Sequence, residues 1–217
     1  MCGRFYLTAH PDQIIESFQL QKLPHYEASY NIAPGQKILS IVKLEDDSYK
    51  AVNLHWGLIP HWSKDNKISS HLINARAETV AEKPAFRSAY RQRRCLIPAS
   101  GFYEWQALEQ GKQAYCIRRK DSALIAFAGL WEYWEQGTET VYSCSLITTV
   151  ANALISPIHE RMPVIIDKAD YSDWLDKQTA PAITQQLLAS PAYQKMDLKP
   201  VSDWVNNPRH NDKNCLN

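Results

Sequence analysis

The period of hydrophobic and polar positions changes several times along the chain. Between Thr8 and Leu20, Ile14, Ile15 and Phe18 share one helical face and Pro11 suits a first turn, which predicts a short helix. Asn31 to Gly35 (Asn-Ile-Ala-Pro-Gly) reads as a turn. Runs rich in Ile, Val, Tyr and Trp predict strands at Lys37–Val42, Tyr49–Leu58, Arg94–Pro98, Ala114–Arg119, Ala123–Trp131, Thr140–Thr149 and Pro163–Ile166. Helices are predicted at Ala75–Ala89, with Pro84 interrupting, at Lys168–Leu175 and at Ala182–Leu188. Strands outnumber helices and do not alternate strictly with them. The expected fold class is therefore α+β, with a mainly antiparallel, barrel-like β-sheet flanked by short helices. No repeat or Pro/Gly-rich linker divides the chain, so a single domain over residues 1–217 is expected, its core running from about residue 2 to 207. The polar tail at 208–217 is expected to fray.

Composition narrows the function classes. The 217 residues carry 24 Lys+Arg against 23 Asp+Glu, a formal charge of +1, which excludes a strongly basic binder and an acidic solvating tail. No apolar run approaches the ~18–20 residues of a membrane span. The start, Met1-Cys2-Gly3-Arg4-Phe5-Tyr6, lacks the basic-then-apolar order of a signal peptide, so a cytoplasmic protein is expected. The five cysteines are odd in number and none forms a CxxC pair, which argues against a disulfide framework or a zinc site. Cys95, Cys116 and Cys144 lie among apolar neighbours and read as small buried thiols. From Arg76 to Arg94, six cations (Arg76, Lys83, Arg87, Arg91, Arg93, Arg94) face only Glu78 and Glu82. That excess suits either a phosphate backbone or a solvated helix face laced with ion pairs.

Several residues could carry chemistry, and each also has an ordinary structural role. Cys2 becomes N-terminal once Met1 is removed, and then offers an amine and a thiol on adjacent carbons. Their reference pKa values of ~7.7–8.0 and ~8.5 leave useful fractions of both deprotonated near neutral pH. With an aldehyde, such a pair forms a Schiff base and then a five-membered thiazolidine; alternatively the thiol attacks an acyl carbon, or Cys2 merely begins a strand. Glu104 lies between Tyr103 and Trp105, where desolvation would raise its pKa, unless it is the outward residue of a strand. His159 sits in Ser156-Pro157-Ile158-His159-Glu160-Arg161-Met162-Pro163, where two prolines bracket a polar turn and place His, Glu and Arg on a loop. Asn74 is either a helix N-cap or an amide presented to a ligand, and Arg76 either an anion clamp or an ordinary surface charge. Trp62 ends an aromatic loop, as a cover on the core or a wedge against bases.

Seven motifs occur in order: Met1-Cys2-Gly3-Arg4, Asn31-Ile32-Ala33-Pro34-Gly35, Trp56-Gly57-Leu58-Ile59-Pro60, Ile73-Asn74-Ala75-Arg76-Ala77-Glu78-Thr79, Arg94-Cys95-Leu96-Ile97-Pro98, Gly101-Phe102-Tyr103-Glu104-Trp105 and Ile158-His159-Glu160-Arg161-Met162-Pro163. Together they resemble the SRAP family (SOS response-associated peptidase domain), the abasic-site processing proteins, in its short single-domain bacterial form. The resemblance implies a protein that shields abasic sites in single-stranded DNA, its N-terminal cysteine capturing the aldehyde of the ring-opened sugar as a thiazolidine. Cys2 matches that nucleophile. Glu104 matches the glutamate that assists proton transfer, His159 the histidine that helps protonate the sugar hydroxyl, and Asn74 the asparagine that orients the sugar. Arg76 and Arg161 match arginines that hold flanking phosphates, Arg4 is placed at the same groove, and Trp62 near the DNA bend. The peptidase label is read as removal of Met1 at the active site.

The resemblance further implies a monomer, lyase-like Schiff-base chemistry, no metal and no cofactor, and association with the nucleoid at damaged DNA. Proteins of the replication fork stay open as further partners. Two rival readings remain at this point. One is an N-terminal-nucleophile glutamine amidotransferase, although Arg4-Phe5-Tyr6 follows the Cys-Gly pair here and no second glycine appears until Gly35. The other is a non-catalytic single-strand-binding module that uses the Arg76–Arg94 cations.

Overall fold

The computed structural model describes residues 2–189 and 196–217. The elements in chain order are β1 (Phe5–Leu7), α1 (Pro11–Phe18), β2 (Ser29–Ile32), β3 (Lys37–Lys43), β4 (Tyr49–Trp56), β5 (Asn74–Arg76), α2 (Arg87–Gln92), β6 (Arg94–Ala99), β7 (Gly101–Ala107), β8 (Lys112–Arg119), β9 (Ile125–Gln136), β10 (Glu139–Val150), β11 (Arg161–Pro163), α3 (Tyr171–Leu175), α4 (Pro181–Ala189) and β12 (Met196–Val201). Short 3-10 turns lie between them and near the C-terminus. The first sheet runs β12-β8-β7-β1-β2 and is antiparallel throughout. The second runs β11-β10-β4-β3-β6-β9, and β9 pairs again with β10, so β10, β4, β3, β6 and β9 close into a five-stranded barrel. Closure removes the free edges that an open sheet would leave. β5 adds to β10 in parallel, Leu146 opposite Asn74 and Thr148 opposite Arg76. The architecture is single-domain α+β, as the strand-rich pattern implies.

Alternation along the strands builds two cores. Phe5 and Phe102 turn inward and meet Trp56 and Phe127 at ring-centroid distances of 5.3–5.8 Å in the main core. Tyr6 and Tyr103 turn the other way, into a smaller cluster with Cys116, Val201, Val205 and Cys215. Both faces of β1 and β7 are therefore covered. On α1, Pro11 opens the helix and Ile14 and Phe18 bury the predicted face.

Four expectations are corrected. The stretch Ala75–Ala89 is not one helix: Asn74–Arg76 is a strand, turns follow, and only Arg87–Gln92 is helical. β10 has an open edge there, and Pro84 has no N–H to continue a helix through the segment. The strand placed at Pro163–Ile166 is β11 at Arg161–Pro163, so Arg161 leaves the predicted loop and is buried in a strand. Ile165 then bridges to Phe127 as the chain crosses to β9. The turn at Asn31 to Gly35 begins only after β2, which takes Asn31 and Ile32.

The C-terminal tail does not fray. The 1 %-exposed Asn31 donates to the carbonyls of Val205, Asn207 and His210 at 3.2, 3.0 and 2.8 Å and accepts from Arg4 at 2.8 Å. Asn211 accepts from the Tyr30 N–H at 2.7 Å, and Cys215 is fully buried. Polar side chains mark this segment as solvated, but the His210 carbonyl, the Asn211 side chain and the Cys215 thiol all turn toward the protein. Replacing Asn31 by Ala strips these buried carbonyls and Arg4 of a shared partner. Asn31→Ala is expected to lower stability by about 2–3 kcal/mol, and a urea-unfolding midpoint unchanged from wild type would refute this account of the tail.

Candidate active site

Strand β7 carries the central acid. Its period places Glu104 on the same side as Phe102, facing the main core, while Tyr103 and Trp105 face the smaller cluster. Glu104 is thus not the outward residue of the strand: it is 2 % exposed. Burial pushes its carboxyl up to about 7, so near neutral pH it can both take and return a proton.

Cys2 lies fully buried beside it. Asn74, at the start of β5, donates its side-chain amide to the Cys2 carbonyl at 2.8 Å. The Asn74 Oδ1 is buried and accepts no hydrogen bond among the described residues. Burial, then the nearby Glu104 carboxylate, pushes the Cys2 thiol well above the ordinary cysteine range. With Met1 in place the thiol is thus favoured as S–H; the partly ionised pair expected from reference values belongs to the chain after Met1 removal. Met1, whose removal the sequence reading requires, lies outside the described residues.

His159 sits half-buried just before β11. Its loop is tied to the strand of Glu104, because Gln106 donates to the Pro157 carbonyl at 3.1 Å. The Arg161 N–H donates to His159 Nδ1 at 2.9 Å. Nδ1 also lies 3.2 Å from the Arg161 carbonyl, so the ring is held against that main chain whichever nitrogen carries the hydrogen. Burial, the first cause, lowers the histidine below its ordinary range, which keeps the ring neutral at pH 7.

The cations separate by role. Arg76, exposed at the end of β5, keeps its charge at the surface. Arg161 is 9 % exposed, and its guanidinium donates to both carboxylate oxygens of Glu78 (2.6 and 2.9 Å) and to the Thr148 carbonyl (2.6 Å). Its fork is spent inside the protein rather than offered to solvent. Arg4 donates to Asn31 and to the Val205 carbonyl, and its guanidinium lies 5.7 Å from the Trp105 ring centroid. Arg4, Trp105, Lys112 and Asn206 line an open depression of about 480 Å³. Trp62 is 52 % exposed on a loop anchored by Trp134 and Gln136 of the β9–β10 hairpin, not by the segments that carry Cys2, Asn74, Glu104 or His159. Sequence reasoning missed Asn31 and Glu78. Both lie inside quoted motifs, but neither residue type announces a buried partner.

Among the described residues, no three His, Cys, Asp or Glu side chains converge as a metal site, and no helix is long and apolar enough to cross a membrane. Fold and site together define a barrel-based protein in which a buried cysteine, a buried carboxyl and a side-chain amide meet, with a histidine loop tied to the same strand. Residues 1–208 match the family model described as SOS response associated peptidase (SRAP), and the chain belongs to that family. It is 45% identical over 222 residues to the abasic site processing protein YoqW of Bacillus subtilis, covering 100% of this chain and 99% of that one. It is 31% identical to the abasic site processing protein HMCES of Xenopus tropicalis, covering 100% of this chain and 78% of that protein. A crystal structure of a Bacteroides thetaiotaomicron protein superposes with a TM-score of 0.84 at 26% identity, over 99% of this chain and 98% of that one.

The acid has a consequence for stability. Between the ordinary glutamate range and about pH 7, folded Glu104 keeps a proton that the unfolded chain has already lost. Stability therefore falls as pH rises through that window and is level above it. Glu104→Gln removes the dependence, and relative to wild type the variant should gain roughly 2–3 kcal/mol between about pH 4.5 and pH 8. Parallel stability–pH curves for the two proteins would rule this out.

Proposed function

We propose that the chain processes abasic sites in single-stranded DNA by capturing the sugar aldehyde on Cys2 as a thiazolidine, once Met1 has been removed by the protein itself or by an aminopeptidase. The observation that carries this reading is the Asn74 amide on the Cys2 carbonyl beside a buried carboxyl poised near pH 7, in a chain whose relatives are named for abasic-site processing. Family membership supports the substrate class, and the side chains support the order of steps.

The closed sugar opens first: the C1′ hydroxyl loses a proton, the C1′–O4′ bond breaks and O4′ gains a proton. Glu104 suits the first transfer and His159 suits the oxygen that develops charge. The Cys2 amine then adds to the C1′ aldehyde, and loss of water leaves an imine. The sulfur closes the ring only on an imine carbon, so imine formation precedes sulfur attack. Sulfur bonds to the imine carbon as its proton passes through Glu104 to the nitrogen, which closes the ring with a net loss of one water. The Asn74 Oδ1 is an unused acceptor beside Cys2 for a sugar hydroxyl. Arg76, and the depression lined by Arg4, Trp105 and Lys112, suit the flanking phosphates and bases.

The trimmed protein incubated with a single-stranded oligonucleotide carrying one abasic site should give an adduct that survives SDS and heat. Cys2→Ala should abolish it, Cys2→Ser should leave at most a less durable oxazolidine, and retained Met1 should block it. A correctly trimmed wild-type sample that leaves the oligonucleotide unmodified, or one that hydrolyses glutamine instead, would end this reading. Arg76→Ala should weaken binding to intact single strands and reduce the slope of log affinity against log salt by about 0.7; an unchanged slope would remove Arg76 from the phosphate contacts.

A further inference from the structure

The pairing of Glu78 with Arg161 is placed where a surface ion pair would have no reason to be. At Thr148, strand β10 has β5 on one edge and β11 on the other, with Arg76 and Pro163 as its register partners. The Arg161 side chain leaves β11, crosses β10 and meets Glu78 in the turn that follows β5. On the way it donates to the Thr148 carbonyl, which also accepts the Ala77 N–H at 2.9 Å. Three segments are gathered by one guanidinium. The Glu78 contact is a two-point fork at 2.6 and 2.9 Å, a geometry that fixes direction as well as distance. Arg161 is buried, so the pair is shielded from solvent on the arginine side, and it holds the Glu78 carboxyl below the ordinary range.

The residue so fixed is the one whose main-chain N–H meets His159 Nδ1. The loop of His159 is also tied by the Gln106 contact at Pro157, by the Ala151 N–H on the Glu160 carbonyl at 2.9 Å and by a backbone turn onto Ile155. The same fork closes over the end of β5, whose first residue, Asn74, holds Cys2. We propose that Glu78 is a positioning residue for the capture reaction: through Arg161 it sets the main chain on which His159 Nδ1 rests and so aims the ring at the sugar. The inference rests on the capture reading above. Glu78 touches neither the cysteine nor the sugar and acts only through its neighbour, as supporting residues do around other sites that depend on one histidine orientation.

The test compares Glu78→Ala and Glu78→Gln with wild type in single-turnover capture of an oligonucleotide bearing one abasic site, alongside binding to the same strand without the lesion. Glu78→Ala should slow capture roughly ten- to hundredfold while intact-strand affinity stays within about twofold of wild type. Glu78→Gln retains shape and one acceptor oxygen and should recover part of the rate; if the alanine variant does not fold, the glutamine variant carries the test through a smaller loss. In a His159→Ala background, adding either substitution should slow capture no further, because the ring it serves is absent. Wild-type rates in both variants overturn the proposal, as does equal slowing with and without His159. Tighter binding of intact strand by Glu78→Ala also overturns it, since Glu78 would then restrain a phosphate-binding arm. A wild-type protein that forms no adduct sinks the capture reading itself, and the inference with it.

Discussion

A carboxyl group on the inner face of β7 is the constraint around which the site is arranged. Strand geometry leaves no choice once Phe102 packs against Phe127: the residue two further on must face the same interior. Elsewhere along that wall the interior takes aromatic rings, which need nothing from their neighbours but contact. Glu104 needs a proton or a counter-charge, and burial supplies the first by shifting its equilibrium toward neutral pH. A group in that state contributes less to stability than an apolar side chain of similar size would. Its presence at the end of the aromatic wall, against a buried cysteine, is the local inconsistency expected of a functional position.

The remaining groups reach that acid because of how the barrel closes. Cys2 arrives on the chain that leads into β1, the neighbour of β7. Asn74 arrives on a three-residue strand that exists only because β10 has a free edge beyond its pairing with β4. His159 comes with the return from β10 to β11, and one amide of β7 holds that return in place. Residues distant in the chain therefore converge by strand pairing, with rigid elements under each, which suits a site whose reacting atoms must be held closely.

Much of this was legible in the residues, and the exceptions have physical causes. Strands β3, β4, β6, β9 and β10 of the barrel, and β8 of the other sheet, follow from runs of branched and aromatic side chains, because those runs are what the two sheets bury. The candidate set Cys2, Asn74, Glu104 and His159 followed from ordered motifs, and the bonds at Asn74 and Gln106 tie their segments together. Alternation around Glu104 was readable, but not its direction, because both faces of β7 are covered and an aromatic neighbour argues equally for either. The segment after Asn74 carries alanines and charges that suit a helix, and only a tertiary partner makes its start a strand. The full burial of Cys2 was not legible either, because a residue at position 2 gives no sign of the strands that enclose it. The pairing of Arg161 with Glu78 was not legible, because nothing in the arginine's own motif reveals that carboxylate.

The docking of the C-terminal turns also links parts of the molecule in time. Arg4 rests one amine on a carbonyl 201 residues away, and Asn31 completes the joint. Should that seam lift, Arg4 loses the Val205 carbonyl, Asn31 loses three carbonyls at once, and the cover over Tyr103 and Trp105 goes with them. The first and last segments thus share one seam, so hydrogen exchange at Tyr30, whose N–H is held by Asn211, would report the release of a segment far along the chain.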